Sequence, residues 1–249
     1  MRTSRNWTRA AAATAGLALL AACGSTSGDD DGGGNGSAKR DGSGKQAVRD
    51  ASPAAELKHI PGVGEKLRAG IPANARQVVA VYGKGADSAD AAVSLFTKDG
   101  SGWKRTKNWT GHNGKRGWTP DHREGDKRSP VGVFTLSDAG GVLADPGAKL
   151  PYQQSAAFAA PHYWAKSHWN DFDYVVAIDY NRVKGTPPND PTRPQGQSKG
   201  GSIWLHMDHG SGTSGCVSLP KSGMEYLLKT LDPKQHPVVV MGDKAHLAA

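Results

Sequence analysis

The chain predicts a mostly β domain with one or two short helices, preceded by a disordered tether. Short β-branched runs recur from residue 77 onward, separated by Gly/Pro/Asn-rich loops, which is how strands read in a sequence. Only one segment keeps helical spacing over several turns. Residues 24 to 50 hold Gly, Ser and charge with almost no apolar side chain, so they cannot bury enough surface to offset the entropy of ordering.

Taken in order, the first segment is a secretory signal. Arg2, Arg5 and Arg9 precede an Ala/Leu-rich run over 10–20, and small residues stand directly before Cys23. That run is too short for a permanent membrane helix. Leu20-Ala21-Ala22-Cys23 resembles the bacterial lipobox, which implies cleavage before Cys23 and a lipid on its sulfur; no twin-arginine pair is present, so general secretion is expected. The expected organisation is therefore a signal peptide over 1–22, a lipidated Cys23 with a flexible linker over 23–55, and a single domain over 56–249. A Gly-rich coil of about 27 residues reaches on the order of 30 Å. The domain is expected outside the cell, held by lipid at the outer face of the cytoplasmic membrane.

Within the domain, strands are expected over 77–82, 92–97, 132–136, 173–180, 202–206 and 237–241. The helix is expected to begin at Ser222, which forms a capping box with Glu225. Met224, Leu227, Leu228 and Leu231 follow at helical spacing before Asp232-Pro233 stops it. The intervals 139–169 and 181–201 are longer than core loops usually are, which marks functional covers or mobile edges. Trp103, Trp109, Trp118, Trp164, Trp169 and Trp204 are read as core or loop anchors.

A formal charge of +8 invites a nucleic-acid reading, but Lys and Arg are scattered along the chain and export removes such partners. A positive surface suits the anionic polymers of a cell envelope. No Gly-rich phosphate fingerprint sits on a strand-helix turn, so neither nucleotide nor other cofactor is expected.

The chemistry concentrates in GSIWLHMDHGSGTSGCVSLP, residues 201–220. With Cys23 used as an anchor, Cys216 has no disulfide partner, so its role is local. An ordinary thiol is mostly protonated at neutral pH, and a nucleophilic one needs an imidazole to take its proton. His206 or His209 can be that base; His206 is favoured, because a strand end holds a ring more rigidly than a Gly-flanked loop. The amides of Gly215 and Cys216 are candidates for an oxyanion hole.

An apolar strand ending in His, a Gly-rich loop and the Thr213-Ser214-Gly215-Cys216-Val217 turn resemble the L,D-transpeptidase (YkuD-type) catalytic domain. EGDKRSPVGVFTL, residues 124–136, resembles a second segment of the same family, and the likeness extends over about 77–242. The resemblance implies a β-sandwich or barrel and an enzyme acting on peptidoglycan stem peptides as a monomer. Cys216 would form a thioester with a tetrapeptide stem, expelling D-Ala, and an amine would resolve it into a 3→3 cross-link. His206 would be the base, oriented by the carbonyl of Met207, with the amides of Gly215 and Cys216 binding the oxyanion. One departure is that Ser214 stands where the family usually has His, so Ser214 keeps a hydrogen-bonding role or His209 supplies the second imidazole.

Other readings stay beside this one. Hydrolysis of the same thioester would make an L,D-carboxypeptidase, and a buried, inert Cys216 would make a wall-binding lipoprotein. His206, His209, Cys216 and Asp208 are all metal-ligand types, but they lack a familiar metal spacing, and no metal is assigned. Asp208, Asn113 and the Tyr180-Asn181-Arg182 stretch are weaker candidates for supporting the site or holding the stem peptide.

Overall fold

The computed structural model describes residues 56–249. The expected signal peptide, Cys23 and the linker lie outside the described residues. Eleven strands form in chain order: β1 (Gln77–Gly83), β2 (Asp90–Asp99), β3 (Gly102–His112), β4 (Trp118–Thr119), β5 (Ser129–Pro130), β6 (Gly132–Gly141), β7 (Tyr152–Gln154), β8 (Val175–Ile178), β9 (Trp204–Met207), β10 (Val217–Leu219) and β11 (Val238–Asp243). The helices are α1 (Glu65–Ala69), α2 (Lys221–Thr230) and α3 (Lys244–Ala248). That is three among the described residues, against the one or two expected; α1 and α3 are only five residues long, too short for their spacing to show.

The main sheet runs β11-β1-β2-β3-β10-β9-β8-β6, with β7 beyond β6, and antiparallel pairing of β11 with β6 closes eight of its strands into a barrel. Closure gives every one of these strands a neighbour on each side, although β3 meets β10 only where His112 pairs with Ser218. The interior is filled by alternate residues, among them Val79, Val93, Leu136, Val176, Leu205, Val217 and Val239. Period-two alternation sends Val78, Ala80, Val238 and Val240 to the other face, where Ile60, Phe96 and Leu247 of α3 cover them. Strands β1 and β11 are thus buried on both faces, which is why they read as unbroken apolar runs.

Helix α2 adds Met224, Leu227 and Leu228 to the barrel core, with Leu231 just beyond it. Each such burial stabilises by about 1.5–3 kcal/mol. The expected capping box does not form: Pro220 is the N-cap, its carbonyl accepting from Gly223 and Met224, and Ser222 sits inside the first turn. Proline is favoured at a helix start because it has no N–H to leave unpaired.

The loop 181–201 is pinned rather than loose. Arg182, 4% exposed, pairs with the buried carboxylates of Asp138 and Asp179 and donates to Thr186 O. Asn181 donates to Gly196 O and Gly200 O and accepts from Gln195 N–H. Arg182 is spent on Asp138, Asp179 and Thr186 O, and Asn181 on the backbone of the loop, so neither of these two side chains is free to hold a stem peptide as expected.

Candidate active site

Strands β9 and β10 are parallel neighbours, with Ser218 opposite His206 and Val217 opposite Leu205. Leu205 and Val217 enter the barrel core. The alternation therefore puts Trp204, His206 and Cys216 on the opposite face together. Cys216 arrives beside Trp204, one diagonal step from His206. Diagonal neighbours on one sheet face lie about 7–8 Å apart at Cα, within reach of an imidazole. Both side chains line one groove of about 990 Å³, walled by Phe158, Trp164, Phe172 and Ile203 and rimmed by Lys115 and Lys127.

The His206 ring is oriented from two sides. Phe172 meets it edge-on at 5.3 Å between ring centres. Its Nδ1 lies 2.8 Å from Met207 O, and a carbonyl only accepts, so Nδ1 carries the proton and the lone pair sits on Nε2. Burial pulls the His206 pKa below its ordinary value, outweighing the Met207 carbonyl and the Asp171 charge, and so keeps the ring neutral.

The Cys216 sulfur accepts from Trp204 N–H and donates to Ser202 O, each at 3.4 Å. It packs on the edge of an apolar cluster of Phe158, Val175, Ala177 and Trp204. Burial pushes its pKa up to about 12, against a smaller lowering by the Trp204 N–H. The resting group is a thiol.

The turn before Cys216 is fixed from the 124–136 segment. Ser129 Oγ, fully buried, accepts from Gly114 N–H at 2.9 Å and donates to Gly215 O at 2.7 Å. Thr213 Oγ1 donates to Cys216 O at 2.6 Å and accepts from Gly215 N–H at 3.1 Å. Gly215 has φ +151°, and a Cβ there would stand 3.1 Å from Arg128 O, so the position requires glycine. Asp126 holds the same segment by accepting from Arg123 N–H and Arg128 N–H.

These contacts revise several expectations. Because Gly215 N–H is taken by Thr213, only the Cys216 N–H is left without a partner among the described residues, and the expected pair of oxyanion donors is reduced to one in this state. Asn113 is fully buried, donates to Ser88 O and Gly114 O, and does not line the groove. Asp208 also lies outside the groove lining: it accepts from Ser218 Oγ, Gly210 N–H and His112. Burial alone would raise its pKa, but those hydrogen bonds win and hold it below the usual carboxylate range. Ser214 is exposed on the groove wall.

His209 lines the groove with its ring nearly parallel to that of His206, at 6.4 Å between centres. Besides Trp164, read from the sequence as an anchor, and the apolar wall, the groove holds three titratable side chains that the sequence did not single out. His122, 4% exposed, stands 2.9 Å from Asp126 Oδ1, and His168 and Asp171 gather around His209. His122 precedes the Glu124-Gly125-Asp126 segment by two residues, a proximity visible in the sequence; His168 and Asp171 lie in a long interval without periodicity, and nothing there flagged them.

A neutral imidazole and a thiol thus share one groove on a closed β-barrel. The family model of the YkuD L,D-transpeptidase catalytic domain matches residues 86–240, and the chain belongs to that family. Its members are cysteine-dependent enzymes acting on peptidoglycan stem peptides. No curated protein matches the chain. Among solved structures it is similar to one titled "Structure of Bdellovibrio bacteriovorus Bd1075", at 13% identity over 76% of this chain and 51% of that one, with a TM-score of 0.37. The chain thus spans about half of that structure's length.

Proposed function

We propose that the protein is a peptidoglycan L,D-transpeptidase using Cys216 as nucleophile and His206 as base. The observation that carries this is the Met207 carbonyl at 2.8 Å from His206 Nδ1, which leaves Nε2 as the proton acceptor on the strand face that bears Cys216. Rotation about the single Cys216 χ1 takes Sγ from Ser202 O toward that nitrogen. Sγ–H passes its proton to Nε2 as sulfur attacks the carbonyl that joins the L-centre to D-Ala. The oxyanion meets the Cys216 N–H. The imidazolium then protonates the D-Ala nitrogen, the C–N bond breaks, and a thioester remains. An acceptor amine attacks this carbonyl, returns its proton through His206 and frees the thiol, leaving a 3→3 cross-link. Lys115 and Lys127 on the rim suit the carboxylates of stem peptides.

The test supplies a tetrapeptide-stem donor with and without an amine acceptor and follows products by mass spectrometry. A dimer lacking one D-Ala, with Cys216 transiently heavier by the tripeptide acyl group, is expected. Tripeptide alone, even at high acceptor concentration, would make water the acceptor and the protein a carboxypeptidase. The lipobox-like Leu20-Ala21-Ala22-Cys23 supports anchoring at the outer face of the cytoplasmic membrane. A Cys23→Ala chain that still partitions with membranes would refute that placement.

A further inference from the structure

Beside the catalytic pair the groove holds a second group of polar side chains for which the acyl-transfer steps have no use. His168 closes the 3-10 turn Lys166–His168, Asp171 follows it, and His209 comes from the loop between β9 and β10. One ligand-type atom from each lies within 4.8 Å of the others. Asp171 Oδ2 is 3.0 Å from His168 Nδ1 and 3.0 Å from His209 Nδ1. The first contact is a hydrogen bond; the second has the distance of one without the alignment, and neither nitrogen of the His209 ring finds a hydrogen-bond partner, although its side chain is only 4% exposed. Two unpaired nitrogens in a buried ring are costly. Asp171 is itself 4% exposed, and its only ion-pair partners among the described residues are these two imidazoles.

The backbone around the group is fixed. Asp171 N–H donates to His168 O at 3.1 Å, and Met207 N–H donates to Asp171 O at 3.0 Å, tying the turn to β9. The 4.1 Å separation of the His168 and His209 ring centres sets both rings against the same carboxylate. Ligand atoms about 2.0–2.2 Å from a tetrahedral zinc lie roughly 3–3.5 Å from one another, so contacts of this length need little adjustment to close on an ion.

We propose that His168, Asp171 and His209 bind a divalent transition metal of the zinc class in the same groove as Cys216. Two imidazoles and one carboxylate satisfy three positions, and the fourth opens to the groove, where it takes water or an oxygen of a bound ligand. The ion satisfies one orphaned His209 nitrogen and neutralises the Asp171 charge. It is a different set from His206, His209, Cys216 and Asp208, the group that invites a metal reading in the sequence. The structure separates those, sending Asp208 to Ser218 and His112.

The test uses the full chain without a histidine tag, in a Cys23→Ala, Cys216→Ser background so that no thiolate can chelate. After chelator treatment, Zn2+ is titrated by calorimetry and Co2+ by its visible ligand-field absorption. Stoichiometric binding is expected, weakened by more than about 100-fold in His168→Gln and in His209→Gln, since even loss of an outer partner of a metal ligand costs 10–100-fold. Each variant is first checked for an unchanged circular dichroism spectrum. As a second readout, Zn2+ should raise the melting temperature of the parent but not of a folded variant. Absence of stoichiometric binding in the parent would overturn the proposal, as would affinity equal to the parent's in both variants. Neither readout involves peptidoglycan, so the result stands apart from the transpeptidase reading.

Discussion

Replacing Ser129 with Ala removes one hydroxyl that links the Gly114 N–H to the Gly215 carbonyl in the turn before Cys216. The hydroxyl is fully buried, and both Gly114 and Gly215 are buried with it, so water cannot substitute. Losing it leaves the Gly114 N–H and the Gly215 carbonyl unpaired. An orphaned buried group costs about 1–3 kcal/mol, so Ser129→Ala should destabilise the domain by about 2–6 kcal/mol. Urea denaturation read by tryptophan fluorescence measures this. Thr213→Val acts on the same turn through Cys216 O and Gly215 N–H, so the double variant should cost less than the sum of the singles by at least about 0.5 kcal/mol. A Ser129→Ala loss below about 0.5 kcal/mol, or strict additivity with Thr213→Val, would refute the idea that these two hydroxyls jointly fix the turn.

Arg182→Met leaves the carboxylates of Asp138 and Asp179 buried without their cation, and the urea midpoint should report a loss of about 3–5 kcal/mol. With its pKa near 12, Cys216 in the resting protein should react with iodoacetamide at pH 8 roughly a hundredfold more slowly than an ordinary thiol, the loss of thiolate outweighing its greater basicity; peptide mapping at rising pH should show a steady gain. Asp243 caps α3 and is hydrogen-bonded to His246; burial opposes but does not cancel these bonds, and its pKa is lowered. Its contribution is therefore complete above about pH 4, the unfolded value, and disappears as pH falls through the folded one. Melting temperatures across the acid range should show Asp243→Asn with a shallower decline than the parent.

The strands legible in the sequence are those whose side chains alternate or run apolar because both faces are covered. Strands β1 and β11 match their expected spans to within two residues for this reason. Strand β3 is illegible although it is eleven residues long, because Lys104, Arg105, Lys107 and Asn108 face solvent and only Gly102, Trp103 and Gly111, toward its ends, are buried. The start of α2 was misplaced by one residue because Ser222 and Glu225 fit a capping pattern that the Pro220 carbonyl already makes unnecessary. At the site, Cys216 and His206 stand in one stretch of chain, and the parallel register that pairs Val217 with Leu205 inside the barrel puts both on the opposite face. Asp171 and His168 were not legible, because their proximity to His209 depends on a backbone bond from Met207 to Asp171 that leaves no trace in residue spacing. Asn113 and Asp208 carried the right side chains for a polar site, but the barrel uses both to join its own loops.

In the proposed reaction His206 Nε2 accepts the Cys216 proton during acylation. Single-turnover acylation by a carbapenem, followed by intact mass, tests it in the parent, His206→Gln and Cys216→Ala. The account predicts an adduct on Cys216 in the parent, none in Cys216→Ala, and a rate in His206→Gln lower by about 10²–10⁴-fold, the usual worth of a positioned general base. Acylation of folded His206→Gln at the parent's rate would contradict it.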